Sequence, residues 1–299
     1  MKRQIGLLLL CCFLGMTGCS KKIEEVGPTE VPKVTMVTET TAPVLTVTPK
    51  VTTAPDFTDT PEITVVPEPS VEPVITLAPT EVPSVTPVIE NRKVIAIDPG
   101  HQAKGNYEKE PVGPGATELK AKVSSGTQGV STKVPEYVFT LELSLKLRDV
   151  LTESGYEVVL TRETSDVDIS NVERAELANV AKADIYIRVH ADGSDNETAN
   201  GISVLYPSES NPYVAELSED SKRLAKAVLD GMCEETGTKN RGIIKRDDLS
   251  GTNWAQMPVI LIEAGFMTNE EEDRKLQDPD YQEKLVQGIV NGIEEYFEE

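Results

Sequence analysis

The stretch KVIAIDPGH, residues 93–101, reads as a buried strand with an abrupt end at Pro99-Gly100. C-terminal to this stretch, short apolar runs alternate with segments of helical spacing. This alternation predicts an α/β fold, a single domain whose mostly parallel open sheet is covered by helices on both faces. Strands are predicted at residues 93–98, 156–161, 185–189, 202–206 and 259–262, and helices at 135–154, 170–181, 216–235 and 280–297.

The helix predicted at residues 135–154 is the one whose apolar face can be named. Val138, Leu141 and Leu145 follow the i, i+3, i+7 spacing of a helical stripe, and Gly155 stands just beyond its end. We therefore expect these three side chains to face the core.

Residues 102–134 separate the first strand from that helix and are rich in Gly and Pro. Loops of this length without secondary structure are usually functional or disordered. We expect a long loop that acts as a lid or as a wall selecting the substrate.

The N-terminus is predicted to be an export signal rather than part of the fold. Lys2 and Arg3 precede an apolar run that is too short to span a bilayer comfortably. The stretch MTGC, residues 16–19, resembles the lipobox of bacterial lipoproteins, although Met16 replaces the commoner leucine. The resemblance implies removal of residues 1–18 and attachment of lipid to Cys19, hence an extracytoplasmic protein anchored to the bacterial membrane. An ordinary secretory signal is the alternative.

Residues 19–90 are predicted to be a disordered tether rich in Thr, Pro and Val. Residues 27–90 contain 12 of the 20 prolines of the chain and almost no aromatic residues. The segment therefore cannot bury enough apolar surface to offset chain entropy. Residues 91–299 are long enough for one catalytic domain with its own core.

Charge and cysteine content argue against a nucleic-acid-binding protein and against a disulfide-stabilised one. The formal net charge of −21 argues against a nucleic-acid partner, which would require clustered Lys and Arg. Cys233 is the only cysteine left after the predicted processing and lipidation, so no internal disulfide is expected.

Chemistry-bearing residues follow three of the predicted strands. His101, His190 and Glu263 each come at or shortly after a strand end, where the ligands of open α/β sheets bind, and Glu136 begins the helix at the same edge. Two imidazoles and one carboxylate are the protein ligands of many catalytic zinc sites. Each residue alone also fits a structural role, and spacing alone leaves the two interpretations equally supported.

The ordered motifs resemble those of the zinc-dependent N-acetylmuramoyl-L-alanine amidases of the AmiC/CwlV-like type. They cover nearly all of residues 93–297 and comprise DPGH (98–101), Glu136 and its helix, GYEVVLTR (155–162), Arg174, ADIYIRVHAD (183–192) and PVILIEAGFMTN (258–269). The resemblance implies a phosphorylase/hydrolase-like sheet. It also implies that His101, Glu136 and His190 bind one Zn²⁺ ion and that Glu263 is catalytic.

Two positions depart from the family pattern. Arg188 stands where serine is usual and Asp192 where asparagine is usual, and both are expected to tune the site. We expect Arg188, Asp192 and Asn269 to contact the substrate or to support the metal ligands. For Arg162 and Arg174, structural ion pairs are the favoured interpretation.

The third metal ligand has competitors because the connection between His101 and Glu136 is long. It contains Glu108, Glu110 and Glu118, although the distance of Glu136 from the helix pattern favours Glu136.

The function implied is hydrolysis of the amide bond between N-acetylmuramic acid and L-alanine in peptidoglycan. A zinc peptidase acting within the stem peptide and a non-catalytic wall-binding lipoprotein are the alternatives. The sequence identifies no regulatory protein partner.

Overall fold

The computed structural model describes residues 92–298, so the predicted signal segment, Cys19 and the tether of residues 19–90 lie outside the described residues. Within 92–298, no helix combines the length and the apolar character needed to cross a bilayer. The strands are β1 Val94–Pro99, β2 Asn106–Pro111, β3 Leu119–Val123, β4 Glu157–Leu160, β5 Ile185–Asp192, β6 Ile202–Tyr206, β7 Asn240–Lys245 and β8 Val259–Phe266. The helices are α1 Glu136–Glu153, α2 Asn171–Val180, α3 Ser218–Thr236, α4 Ser250–Asn253, α5 Glu270–Leu276 and α6 Pro279–Glu298.

Six strands form one open sheet in the order β4-β1-β5-β8-β6-β7. Every neighbouring pair is parallel except β6 and β8, which pair antiparallel. The predicted mostly parallel α/β sheet is confirmed. Strands β6 and β7 run opposite to the other four, which the sequence pattern did not indicate.

Both faces of the sheet are buried, as predicted. Ile95 and Ile187 point to the face covered by α1, α3 and α6, whereas Ala96 and Tyr186 point to the face covered by α2 and the residues around α4. Adjacent residues of one strand reach opposite faces because side chains alternate along a strand. This accounts for the unbroken apolar runs in the central strands.

Helix α1 confirms the predicted element but not the predicted face. Val138 is exposed, whereas the fully buried apolar side chains are Phe139, Leu143, Leu147 and Leu151. Both sets follow helical spacing, and the set containing the aromatic ring is the one turned to the sheet. Gly155 lies just past the helix with φ 94°, a left-handed conformation suited to glycine.

The expectation of a long loop at residues 102–134 is wrong. Its first part folds into an antiparallel hairpin of β2 and β3, separate from the main sheet. The hairpin is fastened to the domain where Asn253 Nδ2 donates to Val112 O at 3.0 Å and Trp254 Nε1 donates to Pro111 O at 3.2 Å. Strand β7 and helices α4 and α5 are further elements that the sequence did not predict.

Helices α3 and α6 cross with their backbones in contact at three glycines. A Cβ atom built on Gly231, Gly288 or Gly292 would lie 2.4–2.5 Å from a backbone atom of the other helix. Alanine at these positions would push the two helices apart.

Candidate active site

Three side chains from separate elements meet at the carboxyl edge of the sheet. His101 follows β1, His190 lies within β5, and Glu136 is the first residue of α1. His101 Nε2, His190 Nδ1 and Glu136 Oε1 form a triangle in which each pair of atoms is 3.1 Å apart. The structure thus brings together the three residues predicted as metal ligands, and their atoms could hold a metal ion.

The imidazole of His101 is oriented by the backbone after β3. Its Nδ1 lies 2.9 Å from Ser124 O, and because a carbonyl only accepts, this nitrogen carries the proton. Nε2 therefore turns a lone pair towards the carboxylate of Glu136. Without a cation between them these two groups repel each other, so the donor set fits a bound metal ion.

The backbone conformation of His101 is unusual and is held by an arginine. His101 has φ 61°, which is uncommon outside glycine. Arg174 Nη2 donates to His101 O at 2.9 Å, and Arg174 Nη1 donates to Pro99 O at 2.8 Å. Next to it, Gly100 has no room for a side chain, since a Cβ atom there would lie 2.4 Å from the ring of His190.

Glu136 is fixed by two backbone amides as well as by the histidines. Thr127 N donates to Oε2 at 2.8 Å and Ala191 N donates to Oε1 at 3.1 Å. Burial raises the pKa of Glu136, but the contacts of its carboxylate with the imidazoles of His101 and His190 outweigh this effect and lower the pKa. Burial lowers the pKa of His190 to about 4, so this imidazole is neutral at physiological pH, as a metal ligand must be.

Glu263 lies beside the triangle but is not part of it. Strands β5 and β8 pair His190 with Glu263, so the two side chains leave the sheet on the same side. Burial, together with the charges of Glu136 and Asp192, raises the pKa of Glu263 well above its usual value. Within residues 92–298, its buried Oε2 has no hydrogen-bond partner. A carboxyl group in this state is suited to exchanging a proton with a ligand.

The other acidic candidates for the third ligand lie elsewhere. Glu108 is exposed on the hairpin and pairs with Lys122 at 2.9 Å, and Glu118 is exposed just before β3. Glu110 is buried, with its Oε2 3.4 Å from Val172 N. Among the described residues, Glu136 is the carboxylate that joins the two histidines.

A buried ion cluster supports the turn that carries His101. Asp98 Oδ1 accepts hydrogen bonds from Thr161 Oγ1 at 2.6 Å and from Arg174 Nη1 at 2.8 Å, and Asp98 Oδ2 accepts from Arg188 Nε at 3.0 Å. Burial raises the pKa of Asp98, but the two arginines outweigh it and keep the group ionised. Arg162 caps the same turn by donating to Pro99 O at 2.9 Å. Arg174 thus forms a structural ion pair as predicted, whereas Arg162 has a structural role through hydrogen bonds to backbone oxygens rather than through an ion pair.

The three residues expected near the substrate occupy different positions. Arg188 and Asp192 line the cleft above the triangle, although the guanidinium of Arg188 is buried and donates to Asn171 Oδ1 at 2.7 Å. Asn269 does not line the cleft. Its Oδ1 instead caps α5 by accepting from the backbone nitrogens of Glu271 and Glu272 at 3.0 and 3.1 Å.

Several residues of the cleft were missed by sequence reasoning. Ser124 and Thr127 supply backbone contacts to His101 and Glu136, and Lys120, Arg246 and Asp248 also line the cleft. In the sequence, the Ser-Ser-Gly-Thr run at residues 124–127 indicates a turn. It does not indicate that this turn contacts His101 and Glu136.

Known proteins resemble this chain in sequence. The family model described as N-acetylmuramoyl-L-alanine amidase matches residues 95–295. An N-acetylmuramoyl-L-alanine amidase of Mycobacterium tuberculosis is 30% identical over 219 residues, covering 70% of this chain and 88% of that protein. The amidase LytC of Bacillus subtilis is 28% identical over 205 residues, which cover 69% of this chain but only 36% of LytC.

Solved structures show the same fold. Ami1, the N-acetylmuramyl-L-alanine amidase from Mycobacterium smegmatis, is similar with a TM-score of 0.62 and 28% identity, covering 69% of this chain and 97% of that one. The catalytic domain of CwlV from Bacillus (Paenibacillus) polymyxa gives a TM-score of 0.56 at 30% identity, covering 69% and 98%. The family match spans about two thirds of the sequence and includes His101, Glu136, His190 and Glu263. This chain belongs to the N-acetylmuramoyl-L-alanine amidase family.

Proposed function

We propose that this protein is a zinc-dependent amidase that hydrolyses the bond between N-acetylmuramic acid and L-alanine in peptidoglycan. The observation that carries the proposal is the triangle of two imidazole nitrogens and one carboxylate oxygen at 3.1 Å, with Glu263 beside it on the adjoining strand. The names of the relatives support the choice of bond.

Zinc is the metal that these donors favour. Two imidazoles and a carboxylate form a catalytic zinc set that leaves a fourth position for water or substrate. Ligand atoms at zinc bond lengths of about 2.0–2.1 Å in a tetrahedron lie roughly 3.3 Å from one another. The observed separations of 3.1 Å are close to that value.

Glu263 and the metal-binding residues have different roles in the proposed reaction. When bound, zinc supplies Lewis acidity, which lowers the pKa of water and stabilises negative charge on a carbonyl oxygen. Glu263 accepts the proton of the attacking water and returns it to the departing alanine nitrogen. Its raised pKa suits both steps, because the carboxyl group must hold the proton between them. Thr127 N and Ala191 N donate to Glu136 and stabilise its ionised form. Glu136 is therefore suited to holding the metal rather than to accepting a proton.

The test uses the full-length protein with purified peptidoglycan. We expect about one zinc per chain, loss of hydrolysis on chelation and recovery on adding zinc. The products should be stem peptides with new amino groups on L-alanine, without new reducing sugar ends. New amino groups on other residues would instead identify a peptidase, and zinc binding without any product would identify a wall-binding protein.

The proposed location rests on the sequence of the N-terminal segment, and the cell-wall relatives support action outside the cytoplasm. We propose that residues 1–18 are removed, that lipidated Cys19 anchors the protein, and that residues 19–90 tether the catalytic domain of residues 91–299. Cys19→Ala should block processing or release the protein from membranes. Wild-type protein found soluble outside the cell with unmodified Cys19 would contradict the anchor.

A further inference from the structure

The cleft contains two cationic side chains that have no role in the amidase reaction proposed above. Lys120 on β3 and Arg246, just after β7, line it together with Asp248. We call these three residues the cationic rim. The rim shares one cleft with His101 and Glu263.

The two cations of the rim are held around one carboxylate. Arg246 Nε donates to Asp248 Oδ1 at 2.7 Å and Arg246 Nη2 donates to Asp248 Oδ2 at 3.2 Å. Lys120 Nζ donates to the same Oδ2 at 2.9 Å and to the backbone oxygen of Asp248 at 2.6 Å. The side chains of Lys120 and Arg246 are therefore already arranged to bind a carboxylate.

The rim retains binding capacity beyond Asp248. Within the described range 92–298, Asp248 accepts two of the three ammonium hydrogens of Lys120 and two of the five guanidinium hydrogens of Arg246. The charge of the three residues sums to +1 in a chain whose formal net charge is −21. Arg188 lines the same cleft, but its buried guanidinium is already paired with Asp98. The N–H groups of Lys120 and Arg246 that Asp248 leaves free can therefore donate to an anionic part of the ligand.

The position of the rim indicates which part of the ligand it meets. Arg246 and Glu263 line the same cleft. A group bound at the rim therefore shares this cleft with the bond that Glu263 acts on. In a stem peptide the next residue after L-alanine is linked through its side chain, so its α-carboxyl group is free in some walls and amidated in others.

We propose that Lys120 and Arg246 bind the free α-carboxylate of the second stem residue, so that the enzyme prefers stems in which this group is not amidated. The inference rests on the amidase function proposed above. In the absence of substrate, both cations contact Asp248. The rim is thus a specificity-determining subsite on the peptide side of the scissile bond.

The test compares two synthetic muramoyl tripeptides that differ only in whether this α-carboxyl group is free or amidated. The full-length zinc-loaded protein should have a higher kcat/KM on the free acid, by roughly 5- to 30-fold, which is the range for one charge-assisted contact at a partly exposed site. The preference should reside mainly in KM and should shrink at high salt. Equal kcat/KM on the two tripeptides would overturn the inference while leaving the amidase function intact. Failure to hydrolyse either would instead count against the function itself.

Variants separate recognition from a structural role of the hairpin. Lys120→Met and Arg246→Met should each bring the acid-to-amide ratio towards one. Lys122→Met is the matched control, because Lys122 lies two residues away on β3, pairs with Glu108 and does not line the cleft. Asp248→Asn removes the carboxylate that pairs with both cations but keeps the cations and the contact of Lys120 to the backbone oxygen of residue 248, so it should retain the preference. If Asp248→Asn abolishes the preference as Lys120→Met does, the preference depends on the ion pairs within the rim rather than on its free cations, and the inference is wrong.

Discussion

Replacing Asp98 with asparagine should destabilise the domain by about 3–5 kcal/mol, the cost of breaking a buried ion pair from one side. The carboxylate is fully buried and contacts two buried arginines, Arg174 and Arg188. Asparagine has the same size but no charge, so both guanidinium groups would remain buried without their counter-ion. In a domain of this size the loss corresponds to a melting temperature roughly 6–20 °C lower.

Denaturant unfolding at several pH values measures this effect. Burial raises the pKa of Asp98, but Arg174 and Arg188 hold it far below the value of about 4 that an unfolded aspartate has. The stabilisation is therefore complete above about pH 4 and is lost as the pH falls further. The difference between wild type and Asp98→Asn should be constant from pH 5 to 8 and shrink by up to about 1.4 kcal/mol per pH unit below pH 4.

An exposed ion pair supplies the control. Asp149 pairs with Arg148 at 2.8 Å at the surface, and Asp149→Asn should change the stability far less. A loss below about 1 kcal/mol for Asp98→Asn at neutral pH, or a difference that does not change on acidification, would refute the reasoning.

Three further predictions concern the site. Glu263→Gln should keep the metal and the fold but reduce hydrolysis by roughly 10²–10⁴-fold, since glutamine cannot accept the proton; an active variant, or one without metal, would reassign the residue. His101→Ala should lose the metal, as measured by elemental analysis, whereas Glu118→Ala should retain it because Glu118 is exposed outside the site. Gly100→Ala should weaken metal binding by displacing the ring of His190, which a Cβ atom would approach to 2.4 Å; wild-type metal affinity in a folded variant would contradict this.

The candidate site was the more predictable part of the molecule. The rule that ligands bind at the carboxyl ends of parallel strands placed His101, His190 and Glu263 at one edge, and the structure brings them there. Strands β5 and β8 continue through His190 and Glu263 instead of ending before them. Polar residues next to an apolar run do not show where a strand ends when the neighbouring strand continues to pair with them.

Helix faces and minor strands were less predictable because their determinants are tertiary. Helix α1 carries leucines on several sides, and only contact with the sheet decides between Leu141 and Leu143 for the core. The hairpin strand Asn106–Pro111 is polar and ends in proline, so it lacks the alternation of a half-buried strand. Strand Asn240–Lys245 is equally polar and takes its conformation from pairing with β6.

The glycine-lined crossing of α3 and α6 determines when the domain can finish folding during synthesis. Helix α6 is the last helix of the described range, and its Leu285, Ile289 and Ile293 complete the core on one face of the sheet. Until α6 emerges from the ribosome, that face is covered by α1 and α3 alone, and Gly231 of α3 lacks its partner helix. The domain therefore closes only after α6 has been synthesised, and nascent forms that lack α6 expose apolar surface to chaperones or to aggregation.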